Sequence, residues 1–348
     1  MFARLYVEAG AAAVRRGIRA IASAMLLLRA GATRAEEPSP EPAPARPIAW
    51  QDTGPFAQLF LQLPFDAPEP VAPGALEVSV RTLYSNSIAR ESTADLSADV
   101  SVETVVPTVL LRYGLPAGFE LQLALHGEVD YAGFLARPIK FVEGLFDNTN
   151  PLRAGPPPKA ARFRVVRADG AGIDWRGSRG SAGDPWLGVK RRVRAQDEWK
   201  PAVSWRAALE IPAASLPLGS GLWEVGTGLV AGWTAGATSL LVETDLMIPQ
   251  GRSVTAARLQ TRPHFAVQLG LLRRLSGWLT AMLQASAHSS ALSGTGLDVV
   301  DGTASYLLVG VGVEPSRSTS LSFALVENVL NPSRGADISA VLDVGWRR

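Results

Sequence analysis

The chain has 348 residues, with 34 Lys and Arg against 32 Asp and Glu and a formal net charge of +2. It contains no Cys, which excludes disulfides, thiolate catalysis and zinc–sulfur centres. Hydrophobic residues make up 47% and charged residues 19%, yet no apolar run approaches the roughly 18 residues that a membrane-spanning helix needs.

The first segment, 1–35, reads as a signal peptide. Arg15, Arg16 and Arg19 precede the apolar run from Ala20 to Leu28, and Ala32 or Ala35 offers a small-residue cleavage site. Without it, 28 Lys and Arg remain against 31 Asp and Glu, a net charge of −3, so nothing argues for a nucleic-acid partner. Residues 36–55 hold five Pro between Pro38 and Pro47 and read as a Pro-rich disordered lead-in. Residues 56–348 form the remaining unit.

That unit is dominated by period-two alternation. The first predicted strand, about 75–88, turns Leu76, Val78, Val80, Thr82 and Tyr84 one way and Glu77, Ser79 and Arg81 the other. The second, about 99–113, reads Val100, Val102, Thr104 and Val106 outward, then changes phase at Pro107 to Val109, Leu111 and Tyr113, which predicts a bulge there. The third, 118–131, is the clearest. Phe119, Leu121, Leu123, Leu125, Val129 and Tyr131 share one face, and Glu120, Gln122, His126, Glu128 and Asp130 share the other. Nine more runs follow at about 185–194, 201–211, 222–234, 237–247, 262–273, 277–290, 304–314, 319–328 and 337–346. Tight turns alternate with longer loops if Phe163 to Val166 belongs to a long loop spanning 132–184. Tyr113, Phe119, Trp199, Trp233, Trp278 and Trp346 fall at the tight-turn ends, and Tyr84, Tyr131 and Trp223 at the other ends, as two interfacial girdles would.

The expected fold class is therefore all-β, a transmembrane antiparallel up-and-down β-barrel of about 12 strands with a partly helical extracellular loop. It would sit in the outer membrane after export, with outer-membrane lipids and the barrel-assembly machinery as partners.

Short motifs agree in order with an uncharacterised bacterial outer-membrane family. They are Tyr113-Gly114-Leu115 with Phe119-Glu120-Leu121, Gly133-Phe134-Leu135 with Ile139, Phe141, Val142, Leu145 and Phe146, and Arg162-Phe163. Gly183-Asp184 before Leu187-Gly188-Val189-Lys190, Gly219-Ser220-Gly221, and Glu327-Asn328 with Pro332 complete the set. Over most of 56–348 the chain resembles the family known as domain of unknown function 3187, which implies an outer-membrane barrel and no known activity. Such barrels usually end on an aromatic residue, whereas here Arg347 and Arg348 follow Trp346.

Strand parity assigns Arg81, Glu103, Arg112, Glu120, His126, Glu128, Arg206, Glu210, Glu224 and Glu243 to the lumen as candidates for a solute pathway. Phe134, Phe141 and Phe146, on the helical stretch of the long loop, are candidates for a gate; a lid packed on the rim is the plainer reading. His288 and Ser290 share an inward face, the arrangement of a lipid hydrolase dyad, but without the Asn-Gly that follows the Ser in such enzymes. Gly226, Gly228 and Gly232 make room in a narrow barrel rather than a nucleotide loop. No catalytic residue, metal ligand or cofactor is assigned. The expected function is a narrow channel or passive transporter for a small solute, through a polar, charged lumen. A lipid hydrolase using His288 and Ser290 and a purely structural barrel are the alternatives.

Overall fold

The computed structural model describes residues 46–135, 139, 152, 160–214, 218–254, 258–329 and 335–348; the expected signal peptide lies outside them. Among the described residues the first three strands are β1 (Leu76–Ser92), β2 (Leu96–Leu115) and β3 (Phe119–Tyr131). Three short strands follow, β4 (Arg162–Arg167), β5 (Gly172–Arg176) and β6 (Arg179–Ala182), then β7 (Trp186–Arg194), β8 (Ala202–Glu210), β9 (Glu224–Ala235) and β10 (Thr238–Pro249). The rest are β11 (Ser253–Val254), β12 (Leu259–Thr261), β13 (His264–Arg274), β14 (Leu279–His288), β15 (Leu292–Ser293), β16 (Ala304–Ser316), β17 (Thr319–Asn328) and β18 (Ile338–Arg347).

Twelve of these, β1–β3, β7–β10, β13, β14 and β16–β18, form one antiparallel wall in chain order. The wall closes because β18 returns to β1, with Val80 opposite Val344 and Tyr84 opposite Ala340. Closure removes the two unpaired edges that an open sheet would expose. The ladder continues past the terminal aromatic: Leu76 and Arg348 exchange both backbone bonds at 2.9 Å, and Arg347 pairs with Glu77 at 2.9 Å. The short-turn end is built from tight connections such as Pro116–Gly118, where Ala117 and Gly118 both adopt left-handed φ values of 59° and 73°.

Alternation sorts the two faces. Leu121, Leu125, Leu229, Leu240, Leu269, Val309, Leu325 and Leu342 are exposed on the outside, while most of the intervening positions are buried. Aromatic residues Tyr113, Trp199, Trp233 and Trp278 are exposed near the short-turn end, and Trp223 at the opposite end. Among the described residues no helix is long and apolar enough to cross a membrane.

Two expectations about β1 and β2 fail. The predicted phase change at Pro107 does not occur: the β1–β2 register runs unbroken from Leu76–Tyr113 to Ser92–Ser97. Pro107 instead takes an outward position and simply leaves a gap in the β2–β3 ladder between Val105 and Thr108. Val100, Val102, Thr104 and Val106 therefore face inward and are buried. The loop expected at 89–98 is also only a three-residue turn, 93–95, because β1 and β2 extend beyond the rest of the wall.

That extension has a physical reason. Its apolar inner side is covered: β4 pairs with Leu96–Ser101, β5 pairs with β4, and β11, β12 and β15 form a second small sheet. As expected, Phe163 to Val166 belongs to the long loop and not to the wall. Phe163, Val165, Ile173, Val254, Leu259, Leu292, Leu297, Val299 and Val300 pack with Phe56, Leu59 and Phe60 into an apolar roof over the barrel mouth. Phe163 is fully buried, its ring 5.2 Å from that of Phe56. Truncating Phe163 to Ala should lower stability by about 3–5 kcal/mol, read as an earlier midpoint in guanidinium unfolding of the detergent-solubilised protein. An unchanged midpoint would mean that roof and mouth are not one packed unit.

Candidate functional site

The barrel interior is occupied by the chain itself. Residues 46–74 rise through the lumen from the short-turn end, turn at the mouth, and descend to the start of β1. Arg46 sits low, 3.3 Å from Asp66 and 3.6 Å from Glu77. Above it, the Ile48 N–H donates to Gln284 at 3.0 Å, Arg81 donates to the Ala49 carbonyl, and Trp50 packs on Tyr306 with ring centroids 4.4 Å apart. Near the mouth Asp52 faces His288 at 3.1 Å and accepts the Ala336 N–H at 3.1 Å. The turn is closed by Ala57 and Gln58, which both donate to the Gly54 carbonyl. Gln62 then ties the two limbs together, accepting the Asp52 N–H and donating to the Asp52 carbonyl, each at 2.8 Å.

The descending limb meets the wall at every level. The Leu61 N–H donates to Glu224 at 2.8 Å, and Gln268 donates to the Leu63 carbonyl at 3.3 Å. Arg206 donates to the Pro64 carbonyl at 2.8 Å, and the Asp66 N–H donates to Glu243 at 3.0 Å. Ser204 donates to the Pro68 carbonyl, and the Val71 N–H donates to Glu120 at 2.6 Å. A segment without helix or sheet must satisfy its backbone elsewhere, and here wall side chains do it.

Apolar contacts fill the rest. Leu61 and Leu63 pack with Leu110, Ala124, Trp186, Ala208 and Met247, and Ile48, Trp50 and Phe65 with Leu83, Val106, Leu241, Leu272, Met282 and Leu308. The inward glycines leave the space. A Cβ at Gly226 would lie 3.0 Å from Leu61, one at Gly270 2.7 Å from Phe65, and one at Gly310 2.6 Å from Ile48. The interior is thus mixed, with apolar layers between charged ones, rather than polar throughout. Residues 46–55, expected to be part of a disordered lead-in, pack inside this interior because their Ile48, Trp50 and Asp52 have partners there.

The charges form two sets. In the first, Asp66 takes Lys190 at 2.7 Å and Gln122 at 3.2 Å, with Arg112 at 3.8 Å. Lys190, 0% exposed, also reaches Glu120 at 3.2 Å, and Arg112 bonds Glu77 at 2.8 Å. In the second, Arg206 grips Asp245 through two nitrogens at 3.0 and 2.7 Å and Glu243 at 2.6 Å. Bidentate and charge-assisted bonds of this kind offset the cost of taking ions out of water.

Of the residues assigned to the lumen by parity, Arg81, Glu120, Arg206, Glu224 and Glu243 contact the luminal segment directly, and Arg112 reaches its Asp66. Glu210 lies opposite Glu224 in the strand register, Glu128 is 3.5 Å from Arg179, and His126 lies under Gly183, where a Cβ would collide with its ring. Glu103 must be reassigned. It lies opposite outward-facing Tyr131 and so sits on the outer face, where it accepts the Leu135 N–H at 2.7 Å and the Tyr84 hydroxyl. The error follows directly from the phase change wrongly expected at Pro107.

Phe134 is exposed with its ring 5.9 Å from Tyr84, outside the wall rather than over the lumen; Phe141 and Phe146 lie outside the described residues. The Ser290 hydroxyl donates to the Val300 carbonyl at 2.6 Å while His288 faces Asp52, so no His–Ser dyad is assembled. Asp184, at the mouth, accepts the Ala213 and Ala214 N–H groups at 2.7 and 2.6 Å; burial nonetheless raises its carboxyl above the ordinary aspartate range. Lys190 is inward by strand parity and sits at the centre of the first charge set, whereas its partners Asp66 and Arg46 lie on the luminal segment, outside any strand, and have no parity to read. The signal available was the apolar content of 46–71 itself, with Trp50, Phe56, Leu61, Leu63 and Phe65, in a stretch read mainly from its Pro.

No family model matches the chain, and no curated protein does, so the resemblance to domain of unknown function 3187 rests on its short motifs. Among solved structures, an outer membrane channel from Pseudomonas putida F1 is similar, with a TM-score of 0.54 and 12% identity over 80% of this chain and 97% of that one. The NanC porin is a more distant likeness, with a TM-score of 0.44 and 9% identity over 77% of this chain and 98% of that one. The first shows that the closed twelve-strand fold is shared.

Removing one member of the first charge set tests its weight. Asp66→Asn strands Lys190 without its closest carboxylate and should destabilise by about 3–5 kcal/mol. Asp66→Asn combined with Lys190→Met should recover much of that loss. The readout is heat-induced loss of the compact folded band on detergent gels. Equal losses in both variants would refute a coupled pair.

Proposed function

We propose that this chain is an outer-membrane barrel channel for a small solute whose passage is controlled by its own luminal segment, residues 46–74. The observation that carries the reading is a closed wall, apolar outside and with charged and apolar layers inside, whose interior is filled by a chain segment rather than by wall side chains alone. A wall with exposed Leu, Val and Trp at alternate positions suits hydrocarbon, and no edge strand is left for a bilayer to disfavour. The similarly folded Pseudomonas protein is described as an outer membrane channel, which supports the same location and class here. A covalently continuous plug held by hydrogen bonds and ion pairs can leave the lumen without breaking the wall, because among the described residues no wall strand ladders with it.

The membrane reading is tested on the outer face. Leu229 is 52% exposed in the middle of β9. Leu229→Lys should cost about 2–4 kcal/mol in a bilayer, with little effect for Lys at a rim position. Equal folding yields of the two variants in lipid vesicles would refute a lipid-facing wall.

The channel reading is tested by conductance in planar bilayers. The parent should pass little current, and a variant lacking residues 47–70 should pass a larger and steadier one. No current in either would remove the channel reading and leave a purely structural barrel, which an occupied lumen also suits.

A further inference from the structure

The two ends of the barrel carry different electrostatics. At the long-loop end most basic groups pair with acids, Arg162 with Asp99 at 2.6 Å, Arg164 with Asp174 at 3.7 Å, Arg258 with Asp169 at 3.0 Å and Arg179 with Asp130 at 2.5 Å, leaving Arg176 and Arg252 exposed without an ion pair among the described residues. Arg262 there donates to the Ser290 and Asp301 carbonyls. At the short-turn end Arg347 pairs with Glu77 at 2.9 Å, but a larger set of exposed basic groups has no such partner. Arg191, Arg192, Arg194, Lys200, Arg273 and Arg317 are all exposed, and none makes an ion pair with a carboxylate among the described residues.

The acidic groups of the same turns do not compensate. Asp197 is occupied by the backbone N–H groups of Trp199 and Lys200, at 3.1 and 2.8 Å. Glu198 and Glu314 are the others, and neither forms an ion pair among the described residues. The basic groups also lie beside the aromatic ring of the wall. Arg191 stacks on outward-facing Phe119 at 4.9 Å, Lys200 adjoins Trp199, which is 85% exposed, and Arg273, opposite Thr238, lies between the exposed Trp233 and Trp278. Indole and phenyl groups mark the depth where hydrocarbon gives way to headgroups. Cations at that depth meet phosphates at close range, in a layer where their attraction is strongest.

We propose that the short-turn rim bearing Arg191, Lys200, Arg273 and Arg317 is a docking surface for the headgroup phosphates of anionic phospholipid in the facing leaflet. The inference rests on the membrane reading above and adds to it a lipid preference confined to one end. Arginine suits the task because its planar fork bonds a phosphate through two donors, and Arg191 and Arg273 are already oriented by Phe119 and by the Thr238 hydroxyl, which accepts from Arg273 at 2.6 Å.

The test uses the full chain purified in detergent and offered mixed micelles of phosphatidylcholine and phosphatidylglycerol, with bound lipid identified by native mass spectrometry. The parent should retain phosphatidylglycerol over phosphatidylcholine, and the quadruple variant Arg191→Gln, Lys200→Gln, Arg273→Gln, Arg317→Gln should lose about tenfold or more of that preference. Changing Arg164, Arg258 and Arg262 at the other end to Gln should leave it intact. Folding is checked independently by the compact gel band, and insertion into pure phosphatidylcholine vesicles reports the membrane reading alone. Equal retention of the two lipids by the parent, an unchanged preference in the quadruple variant, or displacement of phosphatidylglycerol by inorganic phosphate would each overturn the proposal. Failure to insert into neutral vesicles would instead count against the membrane reading.

Discussion

The ion set around Asp66 is the constraint on which the rest of the interior depends. A closed twelve-strand wall brings Lys190, Arg112, Glu120 and Glu77 toward one another in a space too narrow to hydrate them freely. Asp66, carried on a segment that is not part of the wall, supplies the carboxylate that Lys190 and Arg112 converge on. Once it is there, the segment's backbone must be satisfied too, and Glu224, Gln268, Arg206, Glu243 and Glu120 do so in sequence down the lumen. Removing the segment would strand not one charge but a column of donors and acceptors.

The apolar layers explain why the segment stays in one register. Leu83, Val106, Leu110, Leu241, Leu272, Met282 and Leu308 face inward, and a water-filled lumen would expose them. Ile48, Trp50, Leu61, Leu63 and Phe65 cover them, while the inward glycines accept the bulk of the segment where it runs closest to the wall. At the mouth the same logic continues outside the barrel, where Phe56, Leu59 and Phe60 join the loop sheets in one apolar roof. Polar contacts fix the segment level by level, and apolar contacts exclude the water that would compete with them.

Much of the wall was legible in the chain because period-two alternation between apolar and polar residues survives any tertiary context. The third strand shows this best, with Phe119 to Tyr131 on one face and Glu120 to Asp130 on the other. At Pro107 local pattern and structure part: a strand breaker suggests a change of face, but the β1–β2 register runs through it unbroken. Pro needs only a missing donor, and an outward position between two strands tolerates it, so the parity ran through and Glu103 moved to the outer face. The 36–55 stretch misled for a related reason: Pro content suggests a chain without regular structure, and the described part, 46–55, has none, yet it is packed.

The closed antiparallel wall, its strand count, its apolar exterior and most of its inward charges are written into the chain, because each follows from local alternation and turn chemistry along one strand. That residues 46–74 lie inside the barrel, and that Asp66 completes the Lys190 and Arg112 set, follows from long-range packing alone. Those facts depend on contacts between residues more than a hundred positions apart, such as Lys190 with Asp66 and Gln284 with Ile48. No local pattern encodes such partners. They emerge when the wall closes and leaves one volume, of one shape and charge, for the segment to fill.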